Sequence, residues 1–341
     1  MKKIVGILAA AAVAVSAFAV DFSAGMQLKA NLFEYDGATN NVGAFKLWNE
    51  NGKDDKPFIF SLSSDRVGGT IKIFDSNGDY GQAGKAPAGM AAHAFNIWFK
   101  PFDMVRVDLG GQDIKLNVEH ITWWKGNIVG GFLNGWDGIG DWGYKATLNV
   151  DAFSVALAFL PGNNAWWFSN SGSTTSLNET TLYVQYAADF GTINAIFDAK
   201  DTFKNIKAGV GFNGKFDALG IFADVAFFYN NSAAAAVDFD VSYSMDDFGI
   251  EAYFAWKATN FNAINMDTMN LATFLKVSYA LNGGSLYFKF LDADVLNNAF
   301  NAEFHVGYDG NLGAMSYEVE ALIEVGTSVK VSVPCFFRVG F

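Results

Sequence analysis

Cysteine is almost missing from this 341-residue chain, where Cys335 stands alone. One thiol excludes an internal disulfide, so covalent cross-links cannot hold the fold together. Proline is scarce as well, with five residues against 35 glycines. Long apolar runs are also lacking. Although 51% of residues are hydrophobic, nothing after Val20 resembles a spanning helix, which needs roughly 20 consecutive apolar residues. Basic side chains are few, 23 Lys and Arg against 35 Asp and Glu. That imbalance argues against nucleic acid or an anionic membrane surface as a partner.

The one apolar stretch is "MKKIVGILAAAAVAVSAFAV". It has two lysines, a short hydrophobic segment and Ala17-Phe18-Ala19 as an A-x-A cleavage site. It reads as a secretory signal peptide over 1–19, leaving 20–341 as the folded chain. No cysteine follows the cut to carry a lipid anchor. Without Lys2 and Lys3, 21 basic residues face 35 acidic ones, a net charge of about −14.

From Val20 onward, the recurring pattern has a period of two, which places successive side chains on opposite faces of a strand. "AVDFDVSYSM" puts Val237, Phe239, Val241 and Tyr243 on one face, and Asp238, Asp240, Ser242 and Ser244 on the other. "IEAYFAWK" separates Ile250, Ala252, Phe254 and Trp256 from Glu251, Tyr253 and Lys257. "FNAEFHVGY" and "MVRVDLG" divide the same way. No apolar face carries a charge.

Eight short turns are expected: at Asp65-Arg66, 101–103, 150–152, 188–191, 215–217, 246–249, 282–284 and Asp309-Gly310-Asn311. Five of the eight pair an Asp with a nearby Phe, a weak internal repeat in which Asp makes the turn and Phe reaches a membrane edge. Longer polar connections are expected at 36–55, 75–90, 112–141, 161–178 and 258–270. This meander implies about 18 strands, with 16 also compatible.

A soluble sandwich would turn the apolar faces inward, and a transmembrane barrel would turn them out to lipid. Strands of about 10 residues, short turns alternating with long loops, and aromatic residues near strand ends favour the barrel. Phe99, Phe102, Tyr144, Phe153, Phe159, Tyr186, Phe190 and Trp256 are the expected girdle residues. The fold class is therefore all-β, an antiparallel up-and-down transmembrane barrel.

The leader, the alternating strands and the closing run "VSVPCFFRVGF" together resemble a bacterial outer-membrane β-barrel porin. "NIWFKPFDMVRVDLGG" and "VDFSAGMQLKANLF" are similar to porin-like proteins of spirochaetes. The resemblance implies that Val333, Cys335, Phe337, Val339 and Phe341 are read by the barrel-assembly machinery as an assembly signal. It further implies outer-membrane lipid as the surroundings, small hydrophilic solutes as cargo, and a homo-oligomer among the assemblies to consider. Pro334 cannot donate a ladder hydrogen bond, so a bulge or broken pairing is expected there, shared with lumen-facing Phe336.

With the alternation in register, one part of the lumen is lined by Lys29, Lys72, Lys100, Arg106 and Lys145, joined by Lys330 and Arg338 from the last strand. The opposite arc carries Asp198, Asp224, Asp238, Asp240 and Glu251. Glu303, His305, Glu318 and Glu320 stand nearer the seam, and Asp108 and several lysines blur the division. Two readings stay open: a field across the pore that selects solutes, or paired charges that leave transport unselective. Porins of this kind often fold their third long loop inward. Here that is 112–141, with Asp113, Glu119, Trp123, Trp124, Trp136, Asp137 and Asp141 as the expected constriction. Aromatic residues there and at Trp166, Trp167 and Phe168 would also allow sugar stacking, with loop packing as the blander account.

"DSNGDYG" carries only the opening spacings of a calcium loop and lacks the later Glu. No metal, cofactor or catalytic constellation is expected, and His305 with Glu303 reads as a hydrogen-bonded wall pair. The leading expectation is a passive diffusion channel. The alternative is a surface-exposed structural or adhesive protein with a plugged barrel.

Overall fold

The computed structural model describes residues 19–23, 25–49, 58–75, 90–111, 142–161, 177–200, 204–230, 232–258, 269–292 and 301–340, with short pieces at 260–261, 265 and 295–296. The leader over 1–18, loop 112–141 and Phe341 lie outside them.

Twenty strands form one antiparallel sheet among these residues. The first five are β1 Ala19–Ser23, β2 Gly25–Asp36, β3 Asn41–Asn49, β4 Phe58–Ser63 and β5 Val67–Asp75. Then come β6 Met90–Phe102, β7 Val105–Gly111, β8 Trp142–Val150, β9 Phe153–Pro161 and β10 Leu177–Ala188. Next are β11 Gly191–Lys200, β12 Asn205–Phe216, β13 Leu219–Asn230, β14 Ser232–Met245 and β15 Phe248–Ala258. The series closes with β16 Met269–Leu281, β17 Gly284–Asp292, β18 Ala302–Leu312, β19 Met315–Val325 and β20 Val329–Gly340.

From β4 to β20 each strand pairs with its successor, as expected of an up-and-down meander. β20 then pairs with β2, and β1 pairs with β4. Only residue 24 separates β1 from β2, so the chain itself links the two ends of the sheet. β3 and β4 both run antiparallel to that first stave, along its later and earlier parts respectively. Counting β1 with β2 as one stave and β3 with β4 as another, the twenty strands form 18 staves.

The side chains are distributed inside out relative to a soluble protein. On β14, Phe239 is 43% exposed and Asp238 is 0% exposed. Exposed Val237, Phe239 and Tyr243 continue across the sheet to Ile250 and Phe254 on β15 and to Phe227 and Tyr229 on β13. An apolar outer face and a polar inner one are what a lipid-embedded barrel requires, because lipid offers the outer side chains no hydrogen-bond partner.

Two-residue turns join many hairpins, and their geometry follows from residue type. Asp151, Asp217, Asp246 and Asn282 open turns with φ near +50°. Asp and Asn tolerate that left-handed region better than other non-glycine residues, and it matches the twist of paired strands. Beside these turns, Phe102, Phe153, Phe190, Phe216 and Phe248 are exposed, in line with the Asp–Phe repeat.

Two expectations are corrected. The segment 36–55 is not one long connection, because β3 occupies Asn41–Asn49 and pairs with β2. Its apolar residues change phase between Ala44 and Phe45, where Phe45 has φ +55°, so period two breaks within the strand. The last short turn is not at Asp309-Gly310-Asn311, which lies within β18, but at Gly313-Ala314, where Gly313 has φ +62°. Asp-Gly reads locally as a turn, but the β18–β19 ladder runs through it to Leu312↔Met315.

Candidate pore wall

Three groups of inward side chains form on the inner face. In the first, β5 to β8 align Gly68, Trp98, Asp108 and Lys145 in one cross-strand row. Gly68 leaves room for the Trp98 indole, since a Cβ there would strike the ring. The Arg106 guanidinium lies over that indole at 4.6 Å, and Lys100 stands 5.8 Å from it. Asp108, buried, accepts hydrogen bonds from Arg106 Nε at 3.1 Å and from its terminal nitrogen at 2.7 Å. Lys145 Nζ is 3.9 Å from the same carboxylate. The expected basic wall is therefore partly neutralised from within. Lys29 and Lys72 are level with Phe336 and Ala94 respectively in the ladders.

The second group is acidic and spans β10 to β15. Thr181 Oγ1 donates to Asp198 Oδ1 at 2.7 Å, both buried. Asp224 on β13 stands directly opposite Asp238 on β14, and Asp240 stands opposite Phe222 and Tyr253. Glu251 faces Lys276 across β15–β16.

The third group, on β17 to β19, is a paired network. The Tyr287 hydroxyl reaches Glu318 at 2.6 Å and Glu320 at 2.9 Å. It does so by lying across Gly307, which is level with both Tyr287 and Glu320 and has no side chain to block the ring. Lys289 Nζ lies 3.3 Å from Glu318 and 3.7 Å from Glu320. His305 bridges Glu303 at 3.2 Å and Glu320 at 3.1 Å, so the expected His305–Glu303 wall pair forms and gains a second acid.

Near the seam, Pro334 lies where pairing is irregular. The β2–β20 register shifts between Asn31 and Glu34, and Asn31 Oδ1 accepts the Val333 N–H at 3.2 Å. A side-chain amide thus takes over where proline interrupts the ladder. Phe336 shares its inner-face level with Glu318, and Arg338 lies 5.7 Å over its ring. Lys330 stands opposite Glu324 and Asp36. Val333, Cys335, Phe337 and Val339 hold alternate positions on the other face of β20.

The expected constriction residues Asp113, Glu119, Trp123, Trp124, Trp136, Asp137 and Asp141 lie outside the described residues, as do Trp166, Trp167 and Phe168. Trp98, Tyr287 and Asn31 were missed from the sequence. Each acts through cross-strand register, which alternation alone does not supply.

No protein-family model and no curated protein matches the chain. Solved structures do. Pseudomonas aeruginosa OccK3 (OpdO) aligns with a TM-score of 0.58 at 10% identity, over 94% of this chain and 96% of that one. OccK2 (OpdF) of the same organism gives 0.56 at 10% identity, over 94% and 97% of the two chains. OpdQ, also from that organism, gives 0.55 at 10%, over 94% and 98%. These neighbours are bacterial outer-membrane porins, and at this identity the likeness shows a shared barrel fold.

Proposed function

We propose that the protein is an outer-membrane porin, a water-filled barrel through which small hydrophilic solutes diffuse passively. The observation that carries this is the inside-out wall, with apolar side chains outward and ionic groups inward along the same strands. Such a wall gains by facing lipid outside and hydrated solutes within. The shared fold with outer-membrane porins supports the same reading. It needs no bond-making chemistry, cofactor or metal.

The leader over 1–19 exports the chain. The Val333, Cys335, Phe337, Val339 and Phe341 series then serves the barrel-assembly machinery, and loop 112–141 narrows the lumen. Selectivity follows from the uneven inner face: the Lys100, Arg106 and Lys145 side against the Asp198 to Glu251 arc. Low-dielectric walls focus the field between such arcs.

Planar-bilayer recording of the refolded protein tests the reading. Discrete conductance steps are expected, with a reversal potential in a salt gradient that moves on charge reversal at Lys100 and Arg106. A folded, inserted protein that carries no current would instead support the plugged, adhesive alternative.

A further inference from the structure

On β18, the His305 ring stands between two carboxylates. Its Nε2 lies 3.2 Å from Glu303 Oε2, and its Nδ1 lies 3.1 Å from Glu320 Oε2. The first contact is a hydrogen bond, and the second is an ion-pair contact in which Nδ1 is closed to solvent. An ionised carboxylate only accepts, and a neutral imidazole has one N–H and one lone pair. A neutral ring in either tautomer would therefore set its lone pair against a carboxylate oxygen. A shared proton on Glu320 does not relieve this. The same Oε2 is 2.9 Å from the Tyr287 hydroxyl and 3.7 Å from Lys289 Nζ, which marks it as an ionised acceptor. Only the doubly protonated ring suits both contacts.

Every strand packed nearby presents charge to this network. β17 places Lys289 directly opposite His305, with Tyr287 one level along, and β16 places Lys276 opposite Lys289. β19 places Leu322 opposite His305, between Glu320 and Glu324, and β20 sets Lys330 opposite Glu324. Within the network, Lys289 and a charged His305 answer Glu303, Glu318 and Glu320. With a neutral ring, Lys289 alone would face the same acids. Glu303 is the most accessible of them, with its side chain 37% exposed, so it is the acid that permeating ions meet. We propose that His305 is a specificity-determining residue of the pore, a fixed imidazolium that keeps the β17–β19 arc from adding a second acidic face to the lumen.

The proposal rests on the channel reading for its effect on permeation, but not for the charge of the ring. Nitrogen-15 NMR of the refolded full chain reads that charge directly at about pH 7.5, where an unpaired histidine is mostly neutral. His93→Gln and His120→Gln assign the His305 signals by elimination. Both ring nitrogens of His305 are expected to carry a proton, and one bare nitrogen would overturn the proposal. In planar bilayers at the same pH, His305→Gln should raise the cation-to-anion permeability ratio about 1.5–2-fold, because rings of wall charge set ion preference. His305→Lys should keep the parent ratio. An unchanged ratio in His305→Gln, or an equal change in both variants, would also overturn the proposal. A protonated ring in a barrel that carries no current would refute the channel reading, whereas a neutral ring in a conducting barrel would refute this one.

Discussion

Between Arg106 and Lys145 stands Asp108, whose carboxylate is buried and takes three hydrogen bonds from the guanidinium. Exposed ion pairs contribute little, but this one has a desolvated acid and near-bidentate geometry. Asp108→Asn should uncover two positive charges at that wall. The expected outcome is an anion-to-cation permeability ratio raised about twofold, read from reversal potentials, with a stability loss of about 1–3 kcal/mol. An unchanged ratio would mean that Arg106 and Lys145 do not sense permeating ions. The inward placement of Arg106 and Asp108 was legible from alternation alone. Their pairing, and the Trp98 ring beneath the guanidinium, needed the register of β6 against β7. Pro334 shows the same limit. Its disruption of the ladder was readable locally, but the compensating Asn31 amide lies 302 residues away in sequence.

At the scale of the element, the hairpin turn carries much of the local information. Asp217 opens the β12–β13 turn at φ +53°, which suits Asp, Asn or Gly and opposes β-branched residues. Asp217→Val should destabilise the barrel by about 1–2 kcal/mol in urea unfolding, whereas Asp217→Gly should stay close to the parent. Equal effects of the two would show that side-chain contacts, and not backbone strain, hold this turn. Turns of this kind were readable because Asp, Asn and Gly mark the left-handed positions. The exception is instructive: Asp309-Gly310 has turn chemistry, yet strand pairing continues through it to Leu312. β3 was overlooked because its apolar residues fall out of phase at Phe45, whose φ of +55° interrupts the period of two.

For the whole molecule, the decisive question is which side of the wall meets lipid. Phe239 lies in mid-strand on the exposed face, with Asp238 and Asp240 buried beside it on the other. Phe239→Arg should cost about 2–4 kcal/mol of folding free energy in bilayers, the depth-dependent penalty for a lipid-facing cation. A negligible cost, measured by urea titration in vesicles, would sink the membrane reading. What the sequence determined by itself is the two-faced character of the strands and most hairpin ends, because period two and left-handed turns are properties of a few adjacent residues. Tertiary structure alone decided the pairing of β1 with β4 and of β2 with β20, the Asn31 repair beside Pro334, and the meeting of Asp224 with Asp238. Those depend on register and closure, which bring distant residues to one level and which no local pattern encodes.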